Sequence, residues 1–135
     1  KDIPSAGFAA GPCLFKDTMQ LIASASNQFG LGHEAMLVNE GLVLYILERL
    51  KAQYDDLSVI TIGLLGMAFK ADSDDIRSSL SYKAKKALSM NVKQVLTTDP
   101  HVADDPNLLP LEEVVEKTVV DRSFSIKELK NICQE

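Results

Sequence analysis

The sequence predicts an α/β fold, with a helical segment over residues 1–53 followed by a small parallel-sheet unit over residues 54–135. Three observations carry that reading. From about His33 to Ala52 apolar residues cover nearly the whole circumference of a helical pattern. At Gln53-Tyr54-Asp55-Asp56 the pattern breaks, and the short β-branched run Val59-Ile60-Thr61-Ile62-Gly63-Leu64-Leu65-Gly66 follows. After residue 58 strand-like and helix-like stretches alternate, the grammar of a βαβ unit.

Each element has its own justification. Pro4, Gly7, Gly11 and Pro12 make residues 1–16 a loop. A helix is expected from Asp17, with Asp17 or Thr18 as its cap and Met19, Ile22, Ala23 and Phe29 near helical spacing. Gly30-Leu31-Gly32 punctuates before the long helix over 33–52. A helix apolar on most sides is buried on most sides. Two burials are open for it, against a second subunit or as the centre of one small core. The run 59–66 reads as a strand covered on both faces. Residues 71–77 form a charged loop, and residues 79–89 a helix with Leu80, Ala84, Ala87 and Leu88 on one side. A second strand spans Val92 to Thr98 and stops at Asp99-Pro100. A short helix (Leu111 to Glu116), a short strand (Val119-Val120) and a last helix follow. Ser125 and Glu128 form the capping box of that last helix.

Composition narrows the function classes. The 135 residues are 46% hydrophobic and 24% charged, which is globular rather than disordered. The net charge of −5 lacks the basic footprint of a general nucleic-acid binder. There are two cysteines, Cys13 and Cys133, and two histidines, His33 and His101. No CxxC or Cys/His cluster is present, so no metal is expected. No signal core and no run of about 18 apolar residues is seen, so no membrane span is expected.

Two clusters can carry chemistry. In Gly11-Pro12-Cys13-Leu14-Phe15-Lys16-Asp17-Thr18 a thiol sits at the mouth of a helix, near a lysine and an aspartate. The helix N-terminus and the ammonium favour a thiolate, and the carboxylate can orient water. Cys13 is thus a candidate nucleophile, or else a small packed hydrophobe. The second cluster is Gly63 to Lys70, continued by Asp72, Asp74, Asp75 and Arg77. Glycines after a strand allow a ligand to approach the backbone, and Lys70 and Arg77 can meet phosphates. The competing reading is a tight turn with solvated charges, and the spacing is not the G-x-G-x-x-G fingerprint. Asn39, within an apolar helix, needs a partner at a helix contact or in solvent.

Taken together, these clusters resemble the UDP-glucose/GDP-mannose dehydrogenase family. The family's C-x-P-K-D loop is matched by Cys13-Leu14-Phe15-Lys16-Asp17, with Phe15 in place of proline. Its I-N helix pattern is matched by Val38-Asn39. Its G-x-A-F-K-x-x-x-x-D-x-R-x-S motif is matched from Gly66 to Ser79, with Ala71 replacing a second proline, and its Y-D-P by Thr98-Asp99-Pro100. The resemblance runs collinearly over residues 4–120. It implies a Rossmann-like nucleotide-sugar-binding domain over 54–135 and a dimerisation segment within 1–53, with a homodimer formed through residues 33–52. It implies a cytoplasmic enzyme that oxidises the C6 hydroxyl of a UDP- or GDP-sugar to a carboxylate with two NAD, through a cysteine thiohemiacetal and thioester. Cys13 would be the nucleophile and Asp17 its helper. Lys16 and Arg77 would contact NAD, and Gly11, Phe69 and Lys70 the sugar nucleotide. The family's N-terminal NAD-binding domain has no counterpart in these residues, so the chain alone is expected to be inactive. A non-catalytic nucleotide-sugar-binding or dimerisation module is the competing reading.

Overall fold

The chain turns at Gly11 (φ +119°) and Pro12 into helix α1, Leu14–Ser24. The structure is a computed structural model and describes residues 8–118. The strand expected at Val119-Val120, the last helix with its capping box, and Cys133 lie outside the described residues. Helix α1 begins three residues before the expected Asp17. Cys13 already has helical φ/ψ, so the first helical bond runs from the Asp17 N–H to the Cys13 carbonyl at 2.9 Å. Thr18 is therefore inside the helix, where its hydroxyl donates to the Leu14 carbonyl at 2.7 Å.

Ser26 and Asn27, both at positive φ, turn the chain into helix α2, Gly30–Gln53. The helix thus runs through the expected Gly30–Gly32 break. Gly32 is accommodated because the Phe29 ring fills the place of its side chain, with ring carbons 2.5 and 2.7 Å from where a Cβ would be. The burial expected around α2 is one-sided within this chain. Gly32, Val43 and Leu47 are buried, whereas Leu31, Leu37, Val38, Leu44 and Tyr45 are exposed.

After Tyr54 the Asp56 side chain accepts from the Ser58 N–H at 2.8 Å and caps a 3-10 turn, Leu57–Val59. That turn takes up the first residues of the expected strand. Strand β1 is Thr61–Leu65, helix α3 is Leu80–Ser89 and strand β2 is Gln94–Thr98. The Ser79 hydroxyl caps α3 by accepting from the Ser81 N–H. The two strands pair in parallel, with Ile62 opposite Val95 and Leu64 opposite Thr97. A parallel pair joined by a helix needs cover on both faces. On one face Ile62 and Leu64 pack on a core of Leu47, Leu57, Leu88 and Val92, so α2 shares the core of the sheet. On the other lies helix α4, Leu111–Lys117, whose fully buried Val114 packs over Gly63. Among the described residues no helix is long and apolar enough to cross a membrane.

Candidate functional site

A cleft opens beyond the carboxyl ends of β1 and β2, where open α/β sheets present ligand sites. Gly66, Phe69, Lys70 and Asp72 line one side, and Asp99 and His101 the other. Gly66 makes the turn out of β1 at φ +91°, a conformation that side chains rarely adopt. The loop is fixed by Asp99, which the sequence marked only as a strand stop. One Asp99 oxygen accepts from the N–H groups of Met67 (2.7 Å) and Ala68 (2.9 Å), and the other from His101 N–H (2.8 Å). Burial raises the Asp99 pKa, but the N–H donors outweigh it and hold the carboxyl below its usual range. These two loop N–H groups are therefore already engaged. Of the side chains left to meet an anion in the cleft, Lys70 is an exposed cation. Its ammonium lies 5.5 Å from the Phe69 ring centroid.

The same ring joins the two sequence clusters. A Cβ built on Gly11 would lie 3.0 Å from two Phe69 ring carbons, so only glycine lets the loop before Cys13 rest there. Gly11, Phe69 and Lys70 are thus brought together. Cys13 is exposed at the N-terminus of α1, and its side chain makes no capping hydrogen bond. Asp17 stands one turn along the helix, also exposed, with Lys16 Nζ 3.6 Å from its carboxylate.

Arg77 was expected to meet a phosphate or the cofactor. Its guanidinium is forked onto Asp75, with Nη2 to Oδ2 at 2.6 Å and Nε to Oδ1 at 2.9 Å. That hydrogen bonding holds Asp75 down at about 2. The same carboxylate raises Arg77 above its ordinary value. His101 Nε2 and Asp72 Oδ1 stand 3.8 Å apart at the rim of the cleft. Asn39, for which the sequence left two partners open, uses neither. Its amide pairs with the backbone of Ala9, four residues before Cys13. Among the described residues no group of three or more His, Cys, Asp or Glu side chains could hold a metal ion.

Known proteins resemble this chain in sequence and fold. The profile of the UDP-glucose/GDP-mannose dehydrogenase family, UDP binding domain, matches residues 63–129. The chain is 34% identical over 110 residues to UDP-N-acetyl-D-mannosamine dehydrogenase of Pyrococcus horikoshii, covering 78% of this chain and 26% of that protein. It is 30% identical over 108 residues to the enzyme of the same name from Yersinia pestis, covering 73% and 26%. The solved structure of the Pyrococcus horikoshii dehydrogenase superposes with a TM-score of 0.68, covering 82% of this chain and 27% of that one. A ternary complex of GDP-mannose dehydrogenase from Pseudomonas aeruginosa also gives 0.68 at 26% identity, covering 84% and 30%. The chain thus spans about a quarter of the length of the relatives it matches.

Proposed function

Since the chain belongs to the UDP-glucose/GDP-mannose dehydrogenase family, we propose that it supplies the nucleotide-sugar site and the nucleophile of a nucleotide-sugar 6-dehydrogenase. The observation that carries this reading is the packing of Gly11 against Phe69. It brings the Cys13 loop to the cleft that holds Lys70.

In this reading Phe69 offers its face to the sugar nucleotide and Lys70 its ammonium to the diphosphate. The C6 carbon then lies toward Gly11 and Cys13. The Cys13 sulfur adds to the C6 aldehyde and holds it covalently as a thiohemiacetal, which divides a four-electron oxidation into two stages. Once the adduct is a thioester, water attacks its carbonyl. Asp17, one turn from Cys13, orients that water and takes its proton, and the thiol is released. NAD, when bound, supplies the hydride acceptor at each stage. The described residues fit only its margin, because β1 is followed by a loop rather than directly by a helix. Lys16, exposed beside Cys13, is the cation placed to meet it. Arg77, forked onto Asp75, is the second cation proposed to contact it.

The exposed side of α2 supports a homodimer. Leu31, Val38 and Tyr45 recur every seven residues, as do Leu37 and Leu44. A Cβ built on Gly41, between the latter two, meets nothing within 4 Å among the described residues.

Calorimetry with UDP- and GDP-sugars tests the site. Binding that falls at least about tenfold in Lys70→Ala is expected for loss of a charge-assisted phosphate contact. Iodoacetamide is expected to label Cys13 faster than Cys133. Absence of binding, or equal labelling, would overturn the reading. Full binding with no covalent role for Cys13 would instead favour a non-catalytic module.

A further inference from the structure

Asn39 lies at the middle of α2, thirty positions from the loop it touches. Its Oδ1 accepts from the Ala9 N–H at 3.0 Å and its Nδ2 donates to the Ala9 carbonyl at 2.6 Å. The side-chain amide therefore pairs with Ala9 as a neighbouring strand would, with donor and acceptor both used. Ala9 itself is exposed, so these two bonds are not a by-product of burial. Around Asn39 the surface is apolar, formed by Leu14, Phe15, Thr18, Ala35 and Met36. The nearest charged groups on the described elements are Lys83 of α3, whose ammonium lies 5.5 Å from the Phe15 ring centroid, and Glu40, with which Lys83 pairs.

From Ala9 the chain has only Ala10, Gly11 and Pro12 before Cys13. Ala10 and Gly11 are buried, and Gly11 rests on Phe69. The loop is thus held at two points, from α2 by Asn39 and from the sheet by Phe69, and the thiol emerges just after the second. We propose that Asn39 is a positioning residue that sets the register of the nucleophile loop, and so the place of the Cys13 sulfur at the N-terminus of α1. This rests on Cys13 being the nucleophile, and its test needs no turnover.

Two substitutions of near-equal volume separate the roles. Asn39→Leu removes both bonds. Asn39→Asp keeps an acceptor for the Ala9 N–H but sets an oxygen against the Ala9 carbonyl, until protonation restores a donor. Amide exchange at Ala9 is read by NMR, and the alkylation of Cys13 relative to Cys133 by mass spectrometry. In the unaltered chain Ala9 is expected to be protected, and in both variants at neutral pH to lose about tenfold or more of that protection. In Asn39→Asp alone, protection should return as the pH falls through the ordinary carboxyl range near 4. Alkylation of Cys13 should slow by about threefold or more in both variants at neutral pH, because the sulfur drifts from the positive end of the helix. A simple loss of packing would not recover with acid.

Unchanged Ala9 exchange or unchanged Cys13 alkylation in Asn39→Leu, with circular dichroism showing the fold retained, would overturn the proposal. Equal labelling of Cys13 and Cys133 in the unaltered chain, with Ala9 protection lost in the variants, would sink the nucleophile reading while upholding the Asn39 contact.

Discussion

Replacing Asp99 by asparagine should loosen the cleft beyond the ends of β1 and β2 with almost no change in side-chain volume. The carboxylate accepts from the N–H groups of Met67, Ala68 and His101 at 2.7–2.9 Å. An amide has one oxygen. If that oxygen faces Met67 and Ala68, the NH2 group is driven against the His101 N–H, and the other two bonds lose their charge assistance. Hydrogen bonds to charged groups are worth about 1.5–3 kcal/mol, so a net loss of about 2–3 kcal/mol is expected. For a chain of this length that corresponds to a fall of roughly 8–12 °C in Tm at pH 7, followed by circular dichroism. The pH dependence has a definite sign. The folded state lowers the Asp99 pKa, so its contribution is fully present above the unfolded value of about 3.9 and is lost as the pH falls through the folded value. The gap between the two proteins should therefore be widest near neutrality and narrow progressively as the pH falls below about 4. A variant melting within about 2 °C of the parent at pH 7, or a gap that persists in acid, would refute the clamp.

Gly63→Ala should cost about 1–3 kcal/mol in urea unfolding, since its Cβ would sit 2.8 Å from Cγ1 of fully buried Val114; an unchanged midpoint would contradict the packing of α4 on β1. Gly11→Ala combines a φ of +119° with a ring contact at 3.0 Å, so it should lower stability by about 1–3 kcal/mol and weaken sugar-nucleotide affinity with it. Retained affinity, measured by calorimetry, would separate the Cys13 loop from the cleft. Leu44→Glu, on the exposed side of α2, should halve the mass seen by sedimentation equilibrium at micromolar concentration while leaving the circular dichroism intact. Equal masses for parent and variant would remove the interface.

Local signals were the ones legible in the sequence. Glycine after a β-branched run marked the end of β1, and Asp99-Pro100 the end of β2, because both act on the backbone of their own segment. The beginning of α1 was misplaced since capping propensity pointed to Asp17, whereas Gly11 and Pro12 turn Cys13 into helical geometry by themselves. Gly32 looked like a break because nothing in its neighbourhood announced that the Phe29 ring would fold over it. The partners of Asp99 and Asn39 were beyond reach for a different reason. Each joins segments about thirty residues apart, and no spacing rule encodes such a meeting. The Arg77–Asp75 fork lies only two residues apart, so its signal was available in the sequence.

Asn39 and Val38 are neighbours on α2, but one grips the Ala9 loop and the other belongs to the exposed apolar stripe. Successive residues point about 100° apart on a helix whose side chains reach about 5 Å from its axis. Rolling α2 by about ten degrees to improve its fit to a neighbour would carry the Asn39 amide sideways by roughly 1 Å, a third of a hydrogen-bond length. The stripe and the loop therefore set each other's tolerances: whatever docks on α2 has to accept the helix at the roll angle that the Cys13 loop requires.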